Sequence, residues 1–198
     1  MKKTILLVVI VLMFGWTIYE FVSDSNQESE PQTFSSSEET EIEEAELEPD
    51  MPEEEEVQLG LGQGQRAPDF QLLTLAGEDI RLSDFRGTRV MLNFWGSWCP
   101  PCVAEMPDME RLYQEHDIQI LAVNLTPTET SISDVSDFIE ELNLTFTIPL
   151  DEELHVAELY QIQPVPTSYM IDSEGIIQQK AIGALNYEQM VNTFDQIN

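Results

Sequence analysis

The stretch that decides the fold is Val90-Met91-Leu92-Asn93-Phe94-Trp95-Gly96-Ser97-Trp98-Cys99-Pro100-Pro101-Cys102. The apolar run Val90–Phe94 reads as a buried strand. Past the cysteines, Val103, Met106, Met109, Leu112 and Tyr113 recur at spacings of three and four, which predicts a helix. The chain has 2 cysteines, and both fall where the strand ends and the helix begins. Free backbone N–H groups and the positive helix end favour a thiolate there, and the thiolate is the nucleophile of sulfur chemistry. Cys99 is expected at the open helix terminus. Cys102 is expected one turn in, less exposed, and able to resolve a mixed disulfide formed on Cys99.

Two plainer readings compete. A structural disulfide across so short a loop removes little chain entropy. Half of a zinc site needs two more ligands, and the 2 histidines, His116 and His155, lack the tight spacing of a zinc finger. Neither explains the strand, the helix and the prolines together.

The formal net charge is -30, with 38 acidic against 8 basic residues over 198 positions. The charge is unevenly spread. Counted along the sequence, Ser23–Gln58 has 15 acidic and no basic residues, and Leu59–Asn198 has 22 acidic and 6 basic, a net of -16. Such a surface repels nucleic acid and anionic lipid, so no nucleic-acid partner is expected.

Organisation follows from these shifts. Residues 1–22 open Met-Lys-Lys and continue with an uncharged run from Thr4 to Tyr19, which reads as a single transmembrane signal-anchor. Sixteen residues of helix reach roughly 24 Å; Lys2 and Lys3 at one interface, and Trp16 and Tyr19 at the other, extend that reach. The positive end stays inside, which puts the rest of the chain outside the cytoplasm. A cleaved signal peptide is the competing reading, but no Ala-x-Ala site follows the run. Residues 23–58 are Glu-rich, poor in apolar residues and punctuated by Pro31, Pro49 and Pro52, the composition of a disordered acidic linker. Residues 59–198 form the globular domain.

Within that domain Phe70, Leu72 and Leu82 mark a short strand pair turning at Ala76-Gly77-Glu78, and Ser83–Gly87 reads as a helical turn closed by glycine. Gly60, Gly62 and Gly64 do not make a phosphate loop, because no strand precedes them and no Lys-Ser/Thr follows. After the cysteine helix, with Pro107 inside it, come a strand at Ile118–Leu125 and an amphipathic helix at Ser131–Leu142. Its apolar face is Ile132, Val135, Phe138, Ile139 and Leu142. A strand at Thr145–Leu150, a helix at Glu152–Tyr160, a hairpin of Ser168–Ile171 with Ile176–Ile182, and a helix at Tyr187–Ile197 complete the pattern. Strands alternating with helices imply an α/β sheet with helices on both faces.

With these residues in place the chain resembles the extracytoplasmic thioredoxin-like family of ResA and TlpA type. The matching stretches are Ala67-Pro68-Asp69-Phe70, Leu82–Gly87, Leu92–Cys102 and Pro164-Val165-Pro166-Thr167-Ser168-Tyr169-Met170-Ile171-Asp172, in family order over nearly the whole domain. The resemblance implies a thioredoxin-like fold with an N-terminal β-hairpin and a central αβ insertion at about Pro127–Tyr160. It implies membrane-attached thiol–disulfide exchange outside the cytoplasm, with a redox-active Cys99–Cys102 pair and no other cofactor or metal. ResA-like members reduce the haem-binding cysteines of apocytochrome c, with a transmembrane thiol-transfer protein of CcdA type as donor. Relatives serve other exported proteins, including spore-envelope proteins. One departure bears on the substrate: Pro100-Pro101 stands between the cysteines where ResA itself has a Glu-Pro pair.

The resemblance also assigns roles. Pro166 matches the family's cis-proline loop opposite the cysteines, which leaves the backbone of Val165 free to pair with a substrate strand. Glu105, one turn beyond Cys102, matches the family's acidic residue near the active site; a carboxylate there hinders thiolate formation and can accept a proton. Asn93 stands where cytosolic thioredoxins carry a buried Asp, and Asn cannot titrate. Trp95 and Trp98 are expected as pocket walls, with Trp98 on the substrate side. His116 and His155 are expected at the surface. Two other classes share part of this pattern. A peroxiredoxin shares the fold and the Ala-Pro-Asp-Phe opening, but needs Thr or Ser three residues before its reactive cysteine, where this chain has Gly96. A tethered binding module without catalysis would not need its cysteines.

Overall fold

The computed structural model describes residues 57–197. The anchor expected at 1–22 and all but the last two residues of the linker expected at 23–58 lie outside the described residues. Gln58 already joins the domain's hydrogen bonding, accepting from Arg66 N at 2.9 Å.

Strand β3 (Arg89–Trp95) is the middle of the molecule. Its side chains alternate between two cores, as a strand buried on both faces requires. Met91 and Trp95 enter one core, and Val90, Leu92 and Phe94 the other. β3 runs parallel to β4 (Ile118–Asn124) and antiparallel to β5 (Thr167–Ile171), which pairs antiparallel with β6 (Ile177–Ile182). The order is β4-β3-β5-β6. The parallel pair needs a crossover, and α1 (Pro100–Glu115) supplies it. The antiparallel pair β5–β6 turns at Asp172–Gly175, where Gly175 takes φ 81 and a side chain would be strained.

The Met91 face is covered by α1 through Met106, Met109 and Leu112, by α2 (Ile132–Leu142) through Val135, and by α4 (Tyr187–Phe194) through Met190 and Phe194. The opposite face carries the hairpin of β1 (Gln71–Leu73) and β2 (Asp79–Arg81), the turn at Leu82–Phe85, and the short α3 (His155–Leu159). The thioredoxin-like α/β layout with an N-terminal hairpin is therefore as expected, although helices dominate only one face. Among the described residues no helix is long and apolar enough to cross a membrane.

Four local expectations change. Thr145–Leu150 makes isolated bridges and no strand: Thr147 and Leu150 bridge β4, and Pro149 bridges Thr74. Pro149 has no N–H, which breaks a ladder. α3 starts three residues later than the pattern suggests, because Leu154 sits at φ 59, outside helical geometry. α4 ends at Phe194, short of Ile197. Ile132 is 45% exposed, so only part of the apolar stripe of α2 is buried.

Candidate active site

β3 delivers the chain to a tight turn, Gly96–Cys99, closed by Cys99 N donating to Gly96 O at 3.1 Å. The turn places Cys99 as the N-cap of α1. Helix starts leave their first N–H groups unpaired, but here the first two residues are Pro100 and Pro101, which have none. The remaining one, Cys102 N–H, points at Cys99 Sγ across 3.3 Å. The sulfurs of Cys99 and Cys102 are bonded, with Cα atoms 5.3 Å apart, inside the range that disulfides accept.

Cys99 is 3% exposed and Cys102 0%. The ranking is the expected one, but the open position expected for Cys99 is not found. In the disulfide form both sulfurs belong to the core on the Met91 face, because the turn folds Cys99 inward over β3 while Trp98 takes the outer position.

Trp98 is 52% exposed. Its Nε1 donates to Thr128 Oγ1 at 2.9 Å, and its ring lies over Gly96. A Cβ at Gly96 would fall 2.5 Å from Trp98 Nε1, so the Thr or Ser of a peroxiredoxin would have to displace the Trp98 ring. Trp95, by contrast, is no pocket wall. It is fully buried, donates to Ala122 O at 3.0 Å and lies against Phe138. As the last residue of β3 it continues the inward alternation of Met91, a signal that the strand pattern already held.

Glu105 is 1% exposed, which removes the reading as a solvated helix glutamate. Asn93 Nδ2 donates to Glu105 Oε1 at 2.9 Å, and Leu185 N to Glu105 Oε2 at 3.0 Å. Burial pushes its carboxyl up from 4.5 to about 7, against the opposing pull of Leu185 N–H and Asn93. Asn93 is itself fully buried. Its amide also donates to Ser168 Oγ at 2.9 Å, which leaves Oδ1 without a partner among the described residues. Ser168, paired with Asn93 across β3 and β5, was not marked by the sequence pattern; a lone Ser in a strand carries no such signal.

Val165–Pro166 is a cis peptide, as the family match implied, and Gln163–Pro164 is a second one that the sequence reading did not identify. The loop is anchored by Gly183 N donating to Pro166 O at 2.9 Å and by Thr167 Oγ1 on Pro164 O at 2.6 Å. Val165 is half-buried, and neither its N–H nor its C=O has a hydrogen-bond partner among the described residues. A free extended backbone of that kind can pair with an incoming strand. The histidines lie elsewhere: His116 is half-buried against Tyr187 Oη at 3.0 Å, and His155 Nδ1 stands 3.7 Å from Asp151.

A disulfide between residues three apart at a helix start opens by thiolate attack on one sulfur and reforms by attack of the freed thiol. On a four-stranded sheet of this order, that is the chemistry and fold of a thioredoxin-like thiol–disulfide oxidoreductase. Comparisons with known proteins agree. The AhpC/TSA family matches residues 63–180. The chain is 43% identical over 138 residues to the thiol-disulfide oxidoreductase ResA of Oceanobacillus iheyensis, covering 66% of this chain and 70% of that protein. It is 41% identical over 133 residues to the thioredoxin-like protein YneN of Bacillus subtilis, covering 66% and 78%. The crystal structure of StoA from Bacillus subtilis superposes with a TM-score of 0.58 at 35% identity, covering 64% of this chain and 96% of StoA. The chain belongs to the AhpC/TSA family, among the thiol–disulfide oxidoreductases of ResA type.

Proposed function

We propose that the protein is a membrane-anchored reductant acting outside the cytoplasm on disulfides of exported proteins, above all the haem-binding cysteines of apocytochrome c. Cys99 is the attacking thiolate, Cys102 the resolving thiol, and Glu105 the group that exchanges a proton with the pair. Trp98, Val165 and Pro166 receive the substrate chain. A transmembrane thiol carrier of CcdA type re-reduces the pair, and residues 1–22 hold the domain at the membrane through the acidic linker.

The observation that supports a reducing role is the helix start. A strong oxidant of this fold stabilises its reduced thiolate. Here Pro100 and Pro101 offer no donors, and one N–H, that of Cys102, reaches Cys99 Sγ. The buried Glu105 adds negative charge when ionised. Both features raise the free energy of the reduced, charged state, and a disulfide that gains little from reduction has a low potential.

Substrate trapping tests the reading in cells. With Cys102→Ser, attack by Cys99 has no resolving partner, so mixed disulfides with exported proteins accumulate and are identified by non-reducing gels and mass spectrometry. Cys99→Ser gives far fewer. Adducts on cytochrome c precursors support the apocytochrome role. Adducts on spore or other envelope proteins move the substrate there. Adducts on cytoplasmic proteins overturn the location, and equal trapping by both variants overturns the nucleophile assignment.

A further inference from the structure

The turn that carries Cys99 is held from outside by one short segment that follows β4. Glu129 caps the 3-10 turn Thr126–Thr128. Its Oε1 accepts from Ser97 N at 2.8 Å and from Asn124 Nδ2 at 2.6 Å, and its Oε2 accepts from Ser97 Oγ. The neighbouring Thr128 accepts from Trp98 Nε1 and itself donates to Leu125 O at 2.6 Å. Ser97 and Trp98 are the two central residues of the Gly96–Cys99 turn. Both are therefore tied to the same four-residue segment, one through a carboxylate and one through a hydroxyl.

A carboxylate that collects three donors is well satisfied, yet a neutral side chain could anchor a turn as well. What a carboxylate adds is charge. That charge rests on Ser97, which is two residues from Cys99, so the Cα atoms of the two lie within about 7.6 Å and the carboxylate is bound to the same turn that carries the thiol. We propose that Glu129 is a positioning residue for the reaction: it fixes the turn that presents Cys99 and, through its charge, holds Cys99 toward the thiol and the pair toward a reducing potential.

The surroundings of Cys99 leave little to oppose that charge. No Lys or Arg occurs between Arg89 and Arg111. α1 contributes the buried Glu105, the segment after β4 contributes Glu129, and residues 163–166 and 183–185 contribute no titratable group. Asp151, whose N–H bonds Asn124 O at 3.0 Å, has its own carboxylate on Ala157 N at 2.8 Å and beside His155. The inference rests on thiol exchange at Cys99 and adds a residue to it.

The test is the pH profile of Cys99 alkylation by iodoacetamide in the full reduced chain, with Cys102→Ser as common background. Glu129→Gln, which keeps the shape and loses the charge, is expected to raise the rate at pH 7 about two- to fivefold, with the midpoint moved to lower pH. In 1 M salt the gap between the two proteins closes. Glu129→Asp keeps the charge and stays near the wild-type rate. Superimposable profiles for Glu129→Gln and wild type, with only a lowered melting temperature, would mark a merely structural clamp and overturn the proposal. So would a gap that salt leaves unchanged. If Glu129→Gln does not fold, the parent protein carries the test alone: 1 M salt must speed Cys99 alkylation, and an unchanged rate overturns the proposal. A wild-type chain that fails to reduce even a small-molecule disulfide would instead overturn the exchange reading, which alkylation does not test.

Discussion

Two buried polar clusters, one on each face of the central sheet, are satisfied in opposite ways. Behind the hairpin, Tyr160 donates to Pro68 O and Tyr169 donates to Tyr160 O at 2.8 Å, while the Tyr160 ring meets Tyr169 and Phe70 edge-on and lies tilted against Phe94. Every hydroxyl there has its acceptor, and burial drives the Tyr160 phenol far above its ordinary pKa of 10.0. That tyrosine cluster is chemically silent. Behind the cysteines, Asn93, Glu105 and Ser168 form a cluster in which one acceptor, Asn93 Oδ1, is unpaired and one carboxyl titrates near 7. An incompletely satisfied, titratable cluster beside a redox-active pair is where the fold gives up stability for chemistry.

The largest expected effect breaks the silent side. Tyr160→Ala removes a fully buried ring and leaves Pro68 O without its donor, and should cost about 4 kcal/mol. Chemical denaturation reads the loss. At temperatures where the variant is folded, its disulfide reductase activity per folded molecule should match wild type, because nothing at Tyr160 touches the cysteines.

The next effect sharpens the contrast from the other face. A carboxyl whose pKa is raised in the fold favours the protonated form there. Its contribution is full below the ordinary 4.5 and is lost as pH rises through about 7. Wild-type stability should therefore fall across that window by an amount on the order of 3 kcal/mol. Glu105→Gln should abolish the fall, leave the protein more stable than wild type at pH 8, and change the pH dependence of Cys99 alkylation. Denaturation midpoints from pH 4 to 8 check the first two outcomes.

How much of this was legible in the sequence divides along the same line. Repeating apolar positions in β3 and α1 are read by pattern, and a cysteine pair between them needs no tertiary information. Pro166 was found by the family match. The burial of Glu105 was not legible, since a glutamate one turn after Cys102 faces inward only if α4 and its preceding loop bring Leu185 N to meet it. Glu129 was invisible for a related reason: its partners Ser97 and Asn124 are 32 and 5 residues away, and only the parallel pairing of β3 with β4 brings both to it. The buried Trp95 follows from strand alternation carried one residue past Phe94, to the true end of β3, whereas the inward Cys99 depends on the Gly96–Cys99 turn, which no periodicity encodes.

A smaller effect refines the silent side. Tyr169→Phe keeps the ring and removes one hydrogen bond, leaving Tyr160 O unpaired, and should cost about 1–2 kcal/mol. The loss should be the same at pH 5 and pH 8; a pH-dependent loss would mean the two clusters are coupled through β3.

The most direct test of the contrast is the titration of one carbon. In the oxidised chain, selectively 13C-labelled at glutamate side-chain carboxyls and assigned with Glu105→Gln, the Glu105 carboxyl resonance should move with a midpoint of about 7. A midpoint near the ordinary 4.5 would show that the cluster behind the cysteines is as silent as the one behind the hairpin, and the account of Glu105 as the proton-exchanging group would fall.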